Sequence, residues 1–315
     1  MNKLNLILIG LGNMGKIHYK SISNNLLCNK PIVVDSNPGV VSNTNDIEFY
    51  QKLDEIPLDK FRSIDGAIIS SPSGLHFDHA NFFIEKNIPV LVEKPLTDDA
   101  DKTLDLINKA KSSKVLFKCG LIELYNPIIE ELSNINFEDL KFVHFKRHSP
   151  PTEKERKLEN IILDLTLHDI SAIMKIFKPN DIEIIGKELI YKHNIAESAQ
   201  ILLKLDNSFV VFLSTSRQDQ EKLRLLEIVD EKASYYCDLK NKFYEIRKSG
   251  EITSSDSKSI TESNILNKVD MLNKPETADI QLESFLKSIV DNELDEEHVK
   301  VVEKTHKLAY EILDL

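Results

Sequence analysis

Cysteine is scarce in this sequence, and its few residues form no recognisable pattern. Cys28, Cys119 and Cys237 are far apart, and no two of them make a CxxC pair. Neither a disulfide framework nor a cysteine-based zinc site is therefore indicated. A reducing cytoplasm is the expected location, because free cysteines are typical of that compartment.

Positive charge is also in short supply. The 40 Lys and Arg residues are outnumbered by 51 Asp and Glu residues, which gives a net charge of −11 at pH 7. General attraction to a phosphate backbone or to an anionic membrane is therefore disfavoured, although a local basic pocket stays open. We expect neither nucleic acid nor a membrane as a partner.

Long apolar runs are missing as well. No stretch approaches the ~20 apolar residues that a membrane-spanning helix needs. The short apolar run at the start, residues 1–9, lacks the small-residue cleavage site of a signal peptide. With 315 residues, 41% hydrophobic and 29% charged, the chain has the composition of a soluble globular protein with two domains.

The first 120 residues alternate short apolar runs with longer helical patterns. This order is typical of a parallel sheet with helices on both faces. Strands are predicted at residues 4–9, 32–35, 66–70, 90–93 and 115–118, with helices at 78–86 and 98–111.

From about residue 121 the pattern changes to alternating segments separated by polar turns. Strands are predicted at residues 141–147, 182–191, 199–205, 209–215, 223–229, 233–239 and 243–247. This indicates a second, α+β domain over residues 121–315, built on an open antiparallel sheet. Polar residues 249–268 are predicted to form a long surface loop, followed by helices at 277–289 and 296–313. The terminal helix is expected to pack back on the first domain.

A glycine-rich turn joins the first predicted strand to the first predicted helix. It contains Gly10, Gly12 and Gly15, with Asn13 and Met14 before the last glycine. Gly10 permits a tight turn, Gly12 lets the backbone approach a pyrophosphate, and Gly15 lets the helix pack closely on the strand. Free N–H groups at the start of the helix favour phosphate. This combination predicts a Rossmann-type dinucleotide-binding domain over residues 1–120.

Asp35 indicates which dinucleotide is bound. It ends the second predicted strand, 20 residues after Gly15. A carboxylate there accepts hydrogen bonds from ribose hydroxyls and repels a 2′-phosphate. NAD is therefore expected rather than NADP, with Ser36 leaving the preference open.

Four short motifs resemble the glucose-fructose oxidoreductase and inositol dehydrogenase family, Gfo/Idh/MocA. They are residues 70–76 (SSPSGLH), 79–80 (HA), 93–96 (EKPL) and 164–170 (DLTLHDI). The resemblance spans both domains and implies an NAD-dependent oxidoreductase acting on a sugar or polyol. It implies cofactor contacts at Gly10, Gly12, Asn13, Met14, Gly15, Asp35, Ser36, Ser70, Ser71, Pro72, Leu75, His76, Glu93 and Lys94.

Three residues are candidates for proton transfer. Lys94 follows a predicted parallel strand, at the sheet edge where ligands bind, and partial burial would help it accept a proton from an alcohol. Asp164 and His168 are four apart, so one helix would place them on one face, and histidine exchanges protons near neutral pH. On the residues alone, the better interpretation is a surface lysine, a capping aspartate and a buried histidine. The resemblance favours catalysis.

The predicted substrate depends on a finer resemblance. Residues 123–127 (ELYNP), with Arg147 and Arg156, are similar to the branch that oxidises the 3-hydroxyl of nucleotide-activated N-acetyl sugars. This makes Glu123, Tyr125 and Asn126 candidate substrate contacts. Arg147 and Arg156 would bind a diphosphate through their guanidinium groups, or else be surface residues.

Two other functions stay open: an NAD-dependent glycosidase or lyase acting through a 3-keto sugar, and a non-catalytic NAD-binding regulatory protein. No metal is expected, because the spacing of His76 and His79 fixes no third ligand. A homodimer or homotetramer through the C-terminal sheet is expected, since Leu202, Val210 and Phe212 would give that sheet an apolar outer face.

Overall fold

The computed structural model describes residues 3–41, 47–151, 160–252 and 260–314. The chain forms two compact units. The first combines Met1–Tyr125 with Pro275–Tyr310, and the second combines Asn126–Lys274 with Glu311–Asp314. The sequence analysis assigns all of residues 121–315 to the second domain, whereas the contacts place most of both C-terminal helices in the first unit.

The first unit is built on a six-stranded sheet in the order β3-β2-β1-β4-β5-β6, and all of its strand pairs are parallel. The strands are β1 (Leu6–Ile9), β2 (Ile32–Val34), β3 (Phe49–Tyr50), β4 (Gly66–Ile69), β5 (Val90–Val92) and β6 (Phe117–Cys119). Apart from β3, every residue of these strands is buried, as expected for a sheet covered on both faces. The predicted Rossmann-type architecture is confirmed.

The helices of the first unit are α1 (Asn13–Asn24), α2 (Leu58–Phe61), α3 (His76–Ile84), α4 (Ala100–Ser113), α7 (Thr277–Asp291) and α8 (Glu296–Leu313). Helix α7 contributes Leu282, Phe285 and Leu286 to the same core cluster as Leu6 and Leu8 of β1. Each such buried side chain contributes about 1.5–3 kcal/mol. Helix α7 is therefore an integral part of this unit.

The edge strand β6 is covered by side chains from the two C-terminal helices. The Cys119 N–H donates to His298 Nε2 of α8 at 3.0 Å, and Gln281 Nε2 of α7 donates to the Cys119 carbonyl at 3.4 Å. Both side chains are buried. An exposed edge strand would offer unpaired N–H and C=O groups to other chains, and these two contacts occupy such groups.

Helix α8 also binds the segment that follows β5. His306 Nε2 accepts from the Leu96 N–H at 3.1 Å, and its Nδ1–H donates to the Val302 carbonyl at 2.8 Å. The Tyr310 hydroxyl donates to the Thr97 carbonyl at 3.0 Å. Both nitrogens of neutral His306 are thus satisfied, and a second proton on the ring would break the bond to Leu96.

This arrangement predicts a loss of stability in acid. Burial lowers the pKa of His306 to about 4, whereas an unfolded histidine has a pKa of about 6.5. Below that pH the unfolded chain binds a proton that the folded chain does not, so the contribution is complete above pH 6.5 and is lost as the pH falls towards 4. We expect the unfolding free energy to fall by about 3 kcal/mol from this group.

Urea unfolding at pH 7 and pH 4.5 measures this loss of unfolding free energy. A His306→Gln variant should lose less over that interval, and equal losses would contradict the assignment.

The second unit contains an eight-stranded sheet in the order β14-β13-β12-β11-β7-β10-β9-β8. Its strands are β7 (Phe142–His148), β8 (Ile182–Lys192), β9 (Ile195–Leu205), β10 (Phe209–Ser216), β11 (Leu223–Val229), β12 (Ser234–Asp238), β13 (Phe243–Ile252) and β14 (Ile260–Asp270). The predicted open antiparallel sheet is confirmed with one difference, because β7 and β10 pair in parallel. The chain between them includes a helix, which gives the long crossover that a parallel pair needs.

The predicted loop over residues 249–268 is wrong for residues 249–252 and 260–268, and residues 253–259 lie outside the described residues. Strand β13 continues to Ile252, and β14 begins at Ile260 and pairs antiparallel with it. Residues 249–268 show no regular apolar alternation in the sequence, and the edge strand β14 is held to β13 by backbone hydrogen bonds, which a sequence pattern does not display.

The two faces of this sheet differ. Helices α5 (Pro127–Ser133) and α6 (Leu167–Phe177) belong to this unit, and Phe177 of α6 packs on Phe209 with the rings 5.3 Å apart. Val143, Phe145, Leu203 and Leu213 form part of the buried face. The alternate residues, which include Leu202, Val210 and Phe212, are half-buried. The expected alternation is therefore present along β7, β9 and β10.

Candidate functional site

The glycine turn after β1 has the geometry of a close backbone approach. Gly10 has φ = +92°, and a Cβ on it would lie 2.7 Å from the Ser70 carbonyl oxygen. A Cβ on Gly15 would lie 2.1 Å from the Gly10 carbonyl oxygen. The Ser70 hydroxyl donates to that same Gly10 carbonyl at 2.8 Å. These contacts give Gly10 and Gly15 the tight-turn and close-packing environments that the sequence predicts for them.

The beginning of α1 fits a pyrophosphate. Among the described residues, no atom lies within 4 Å of a Cβ built on Gly12. Gly12 precedes Asn13 and brings no side chain to cap the first N–H groups of the helix. These groups, together with the positive end of the helix dipole, make an anion-binding end with open space in front of it.

Asp35 lies directly after β2 and holds the glycine turn. Its Oδ2 accepts from the Leu11 N–H at 2.7 Å and its Oδ1 from the Asn37 N–H at 2.9 Å. Each carboxylate oxygen can accept a second hydrogen bond, so both remain able to bind ribose hydroxyls. Ser36 beside it is exposed.

The segment after β4 is held by two histidines. His76 is buried, with Nε2 2.7 Å from the Ser71 carbonyl oxygen and Nδ1 2.8 Å from the Pro95 carbonyl oxygen. The Ser71 hydroxyl lies 2.9 Å from His79 Nδ1. Burial lowers the pKa of His79, and the charge of His76 acts in the same direction. Pro72 and Leu75 of this segment are exposed.

Lys94 comes directly after β5 and is half-buried, whereas Glu93 is buried. Because the carboxyl ends of parallel strands meet at one edge of a sheet, the candidates that follow β1, β2, β4 and β5 lie at the same edge. In the first unit the structure therefore brings together Gly10, Asp35, Ser70 and Lys94, with the residues adjacent to them in sequence.

Asp164 and His168 lie in the second unit, at the start of α6. The single α-helix expected to carry both residues is not observed, because Ile162–Thr166 form a wider π turn before α6 begins. Such turns occur frequently at functional sites. His168 is buried in the first turn of α6.

The sequence analysis missed the charged partners of Asp164. Arg217 Nη2 lies 2.9 Å from Asp164 Oδ2, and Arg217 Nη1 lies 3.3 Å from Glu197 Oε1. Arg217 and Glu197 are both buried. Glu197 has the same strand parity as the inward-facing Leu203 of β9, so a carboxylate at an apolar position of the alternation was the available signal.

His18 was also missed. It lies on the buried face of α1, and its Nε2 is 2.7 Å from Glu93 Oε1. The sequence analysis assigns no role to His18. Its position three residues after Gly15, among the buried residues of an amphipathic helix, was the signal that it could have a specific partner.

The candidate substrate residues have varied surroundings. Arg147 is buried and forms an ion pair with Asp169, Nη2 to Oδ1 at 2.7 Å. The Asn126 side chain caps α5 by accepting from the Ile128 N–H at 3.0 Å.

The candidate substrate residues Tyr125 and Glu123 are also buried or partly buried. Burial raises the pKa of Tyr125, and its hydroxyl is 3.5 Å from His298 Nδ1. Glu123 is buried. Arg156 lies outside the described residues.

Across the described ranges, no three His, Cys, Asp or Glu residues are grouped in a way that could hold a metal ion. Within the same part of the chain, no helix has both the length and the apolar character needed to cross a bilayer.

Comparison with known proteins identifies the cofactor-binding part of the chain. Residues 4–121 match the Gfo/Idh/MocA family model, which is described as an oxidoreductase family with an NAD-binding Rossmann fold. This part of the chain, just over a third of it, is similar to the Gfo/Idh/MocA oxidoreductases. The residues at the carboxyl edge of the sheet are therefore those of an NAD-binding Rossmann domain.

Curated relatives with named activities match part of the chain. UDP-N-acetylglucosamine 3-dehydrogenase of Acidithiobacillus ferrooxidans is 27% identical over 168 residues, which are 52% of this chain and 52% of that protein. Inositol 2-dehydrogenase of Pseudarthrobacter chlorophenolicus is 25% identical over 187 residues, 54% of this chain and 53% of that protein. The chain spans about half the length of these curated relatives.

Solved structures match over the whole chain. The UDP-N-acetylglucosamine 3-dehydrogenase of Acidithiobacillus ferrooxidans superposes with a TM-score of 0.81 at 20% identity, covering 100% of this chain and 98% of that one. A myo-inositol dehydrogenase of Corynebacterium glutamicum gives a TM-score of 0.76 at 19% identity, covering 99% and 96%. At these identities the likeness shows that both units have the fold of these dehydrogenases.

Proposed function

We propose that this chain is an NAD-dependent dehydrogenase that transfers a hydride between nicotinamide and a secondary alcohol of a sugar or polyol. The observation that carries the proposal is Lys94, which is half-buried at the carboxyl end of β5. That is the edge of the NAD-binding sheet at which the glycine turn and Asp35 also lie. A proton acceptor at the cofactor-binding edge is what oxidation of an alcohol needs.

The chain's own residues would divide the work as follows. NAD, when bound, supplies the acceptor for the hydride that leaves the carbinol carbon. The N–H groups at the start of α1 bind its pyrophosphate, and Asp35 binds the adenosine ribose. Lys94 takes the hydroxyl proton, His168 exchanges protons with the same group, and Asp164 binds a substrate hydroxyl or orients His168.

For the substrate we propose the 3-hydroxyl of a nucleotide-activated sugar. The support is the 123–127 motif and the name of one relative, a UDP-N-acetylglucosamine 3-dehydrogenase. Glu123, Tyr125, Asn126 and Arg156 remain the candidates for contact with it. Arg147 is not carried into this proposal, because its guanidinium is already paired with the buried carboxylate of Asp169.

The test is NADH absorbance at 340 nm after mixing the protein with NAD and a panel of nucleotide sugars, free sugars and inositols. Growth of absorbance with a nucleotide sugar supports the full proposal, and growth with inositol corrects only the substrate. Sugar release without net NADH indicates the glycosidase that acts through a 3-keto sugar. NAD binding without any turnover across the panel indicates a regulatory protein and contradicts the proposal.

The cofactor assignment gives a prediction about Asp35. We expect NAD to bind much more tightly than NADP, because the carboxylate accepts from the ribose hydroxyls and repels a 2′-phosphate. An Asp35→Ala variant should weaken NAD and reduce the discrimination. Calorimetry with both dinucleotides measures this, and Ser36→Ala serves as the neighbouring control. Equal affinity of the unaltered protein for NAD and NADP would rule out this role for Asp35.

The second unit gives a prediction about assembly. We expect a homodimer or homotetramer formed through the half-buried face that carries Leu202, Val210 and Phe212. A stable contact of this kind buries at least about 1,000 Å² in total. Light scattering at micromolar concentration should show the oligomer, and Phe212→Asp should shift it to monomer. A monomer for the unaltered protein would reject the prediction.

A further inference from the structure

Glu93 lies directly before Lys94 and has defined partners for both carboxylate oxygens. Oε1 is 2.7 Å from His18 Nε2, and Oε2 accepts from the backbone N–H of Lys94 at 3.2 Å. Glu93 is 5% exposed and His18 is 1% exposed. The carboxylate is therefore held between helix α1 and the backbone of Lys94, out of water.

The space around this carboxylate is closed on the β6 side. A Cβ built on Gly120 would lie 2.7 Å from Glu93 Oε2 and 2.9 Å from Glu93 Cα. The glycine after β6 therefore leaves the room that the Glu93 side chain occupies. Cys119 before it is fully buried, and burial together with the charge of Glu93 raises its pKa, so its thiol adds no charge.

The hydrogen bond to Glu93 defines which nitrogen of His18 carries the proton. Among the residues that the structure describes, His18 Nδ1 has no hydrogen-bond partner and is buried. The His18 Nε2 atom contacts a carboxylate, which can only accept a hydrogen bond. Nε2–H therefore donates to Glu93, and Nδ1 keeps its lone pair. A second proton on Nδ1 would be buried without an acceptor, which is costly.

We propose that His18 is a positioning residue that keeps the carboxylate of Glu93 turned away from the ammonium group of Lys94. The importance of this for turnover rests on the proposed function of Lys94. The charges of Glu93 and Lys94 both act on the Cys119 thiol, so the carboxylate and the ammonium group lie near the same side chain. A carboxylate that loses its histidine partner can then turn towards that ammonium group. An added carboxylate beside an ammonium group stabilises the protonated form, so Lys94 would then accept a proton less readily.

Two other histidines of the described residues bind the backbone near this turn. His76 of α3 lies 2.8 Å from the Pro95 carbonyl oxygen, and His306 of α8 accepts from the Leu96 N–H. Neither contact involves the carboxylate of Glu93. His18 is thus the group that connects α1, whose first turn is the proposed pyrophosphate site, to the residue before Lys94.

Two amide variants make a matched test. In His18→Gln the side-chain nitrogen reaches the position of Nε2 and can donate to Glu93, whereas in His18→Asn it reaches only the position of Nδ1. We measure the pH at which Lys94 loses its proton, by NMR of the full chain with ¹³C-methylated lysines and saturating NAD. The Lys94 signal is the one missing in Lys94→Arg.

We expect the Lys94 titration in His18→Asn to move up by about one pH unit or more, as an opposite charge at short range causes, and in His18→Gln to return towards the unaltered protein. Adding Glu93→Gln to His18→Asn should remove the shift. The acid limb of the pH–rate profile should follow the same order. His306→Gln is the control for losing a buried histidine near this turn and should leave the titration in place.

A folded His18→Asn protein whose Lys94 titrates as in the unaltered protein would overturn the proposal. The same shift in the double variant with Glu93→Gln would also overturn it, because the carboxylate would not be the cause. The NMR titration needs no substrate. An upward shift in a protein that oxidises no sugar would therefore support the role of His18 and contradict the proposed function separately.

Discussion

Replacing Lys94 with alanine should lower kcat for alcohol oxidation by about 10²–10⁴-fold, because positioned proton transfer contributes about that much to such a step. NAD affinity should stay close to that of the unaltered protein, since the expected pyrophosphate and ribose contacts lie at α1 and Asp35. Stopped-flow NADH formation and calorimetry with NAD measure the two quantities. Lys94→Arg is the matched control, because it keeps a positive charge that cannot be given up near neutral pH. It should lose a similar amount of kcat.

His168→Gln should also lower kcat, and the double variant Lys94→Ala/His168→Gln should fall hardly further than the more damaged single variant. Residues that serve one proton transfer are non-additive in this way. Nearly normal turnover in Lys94→Ala would remove this lysine from the mechanism. Fully additive losses would show that the two residues act on separate steps.

The second large effect is expected in the glycine turn. Gly15→Ala should lose both stability and NAD affinity, whereas Gly12→Ala should lose NAD affinity alone. A Cβ on Gly15 would lie 2.1 Å from the Gly10 carbonyl oxygen, whereas a Cβ on Gly12 meets no described atom within 4 Å. Gly15→Ala must therefore displace the backbone of α1 or of the turn. We expect it to lose about 1–3 kcal/mol of unfolding free energy or more, and to weaken NAD by roughly 100-fold or more.

Gly12→Ala should keep the unfolding midpoint of the unaltered protein and still bind NAD weakly, because its methyl group occupies the space in front of α1. Urea unfolding and NAD titration on the same samples separate the two outcomes. Equal destabilisation by both variants would show that Gly12 is needed for folding, and unchanged NAD affinity in Gly12→Ala would move the pyrophosphate away from this turn.

The parallel sheet could be predicted because its strands are short, apolar and buried on both faces, so composition alone marks them. Strand β3, Phe49–Tyr50, has two residues and leaves no period to detect. Strand β14 is polar because it lies at the edge of the other sheet, and its pairing with β13 depends on backbone groups that the sequence does not display. The assignment of α7 to the first unit depends on Phe285 joining the core cluster that contains Leu6 and Leu8 of β1, which no local pattern encodes.

Residues of the candidate site could likewise be predicted where a local motif carries them, and could not where their partners are distant in sequence. Gly10, Gly15 and Asp35 could be found because one motif carries them at fixed spacing. His18, Glu197 and Arg217 act through partners distant in sequence, such as Glu93 for His18. A buried charged residue can be suspected from its position in an apolar alternation, but its partner is selected by the tertiary fold.

The covering of β6 by Gln281 and His298 has a consequence for the order in which the protein is made. A ribosome adds about 5–20 residues per second, so α7 and α8 emerge roughly 10–30 s after β6. During that interval the newly made chain has its glycine turn and all six strands of the first sheet, but an open edge and an unfilled core. A chaperone that shields this edge during translation would act on a transient species, and a cofactor domain cut out at residue 125 would keep that exposed edge permanently.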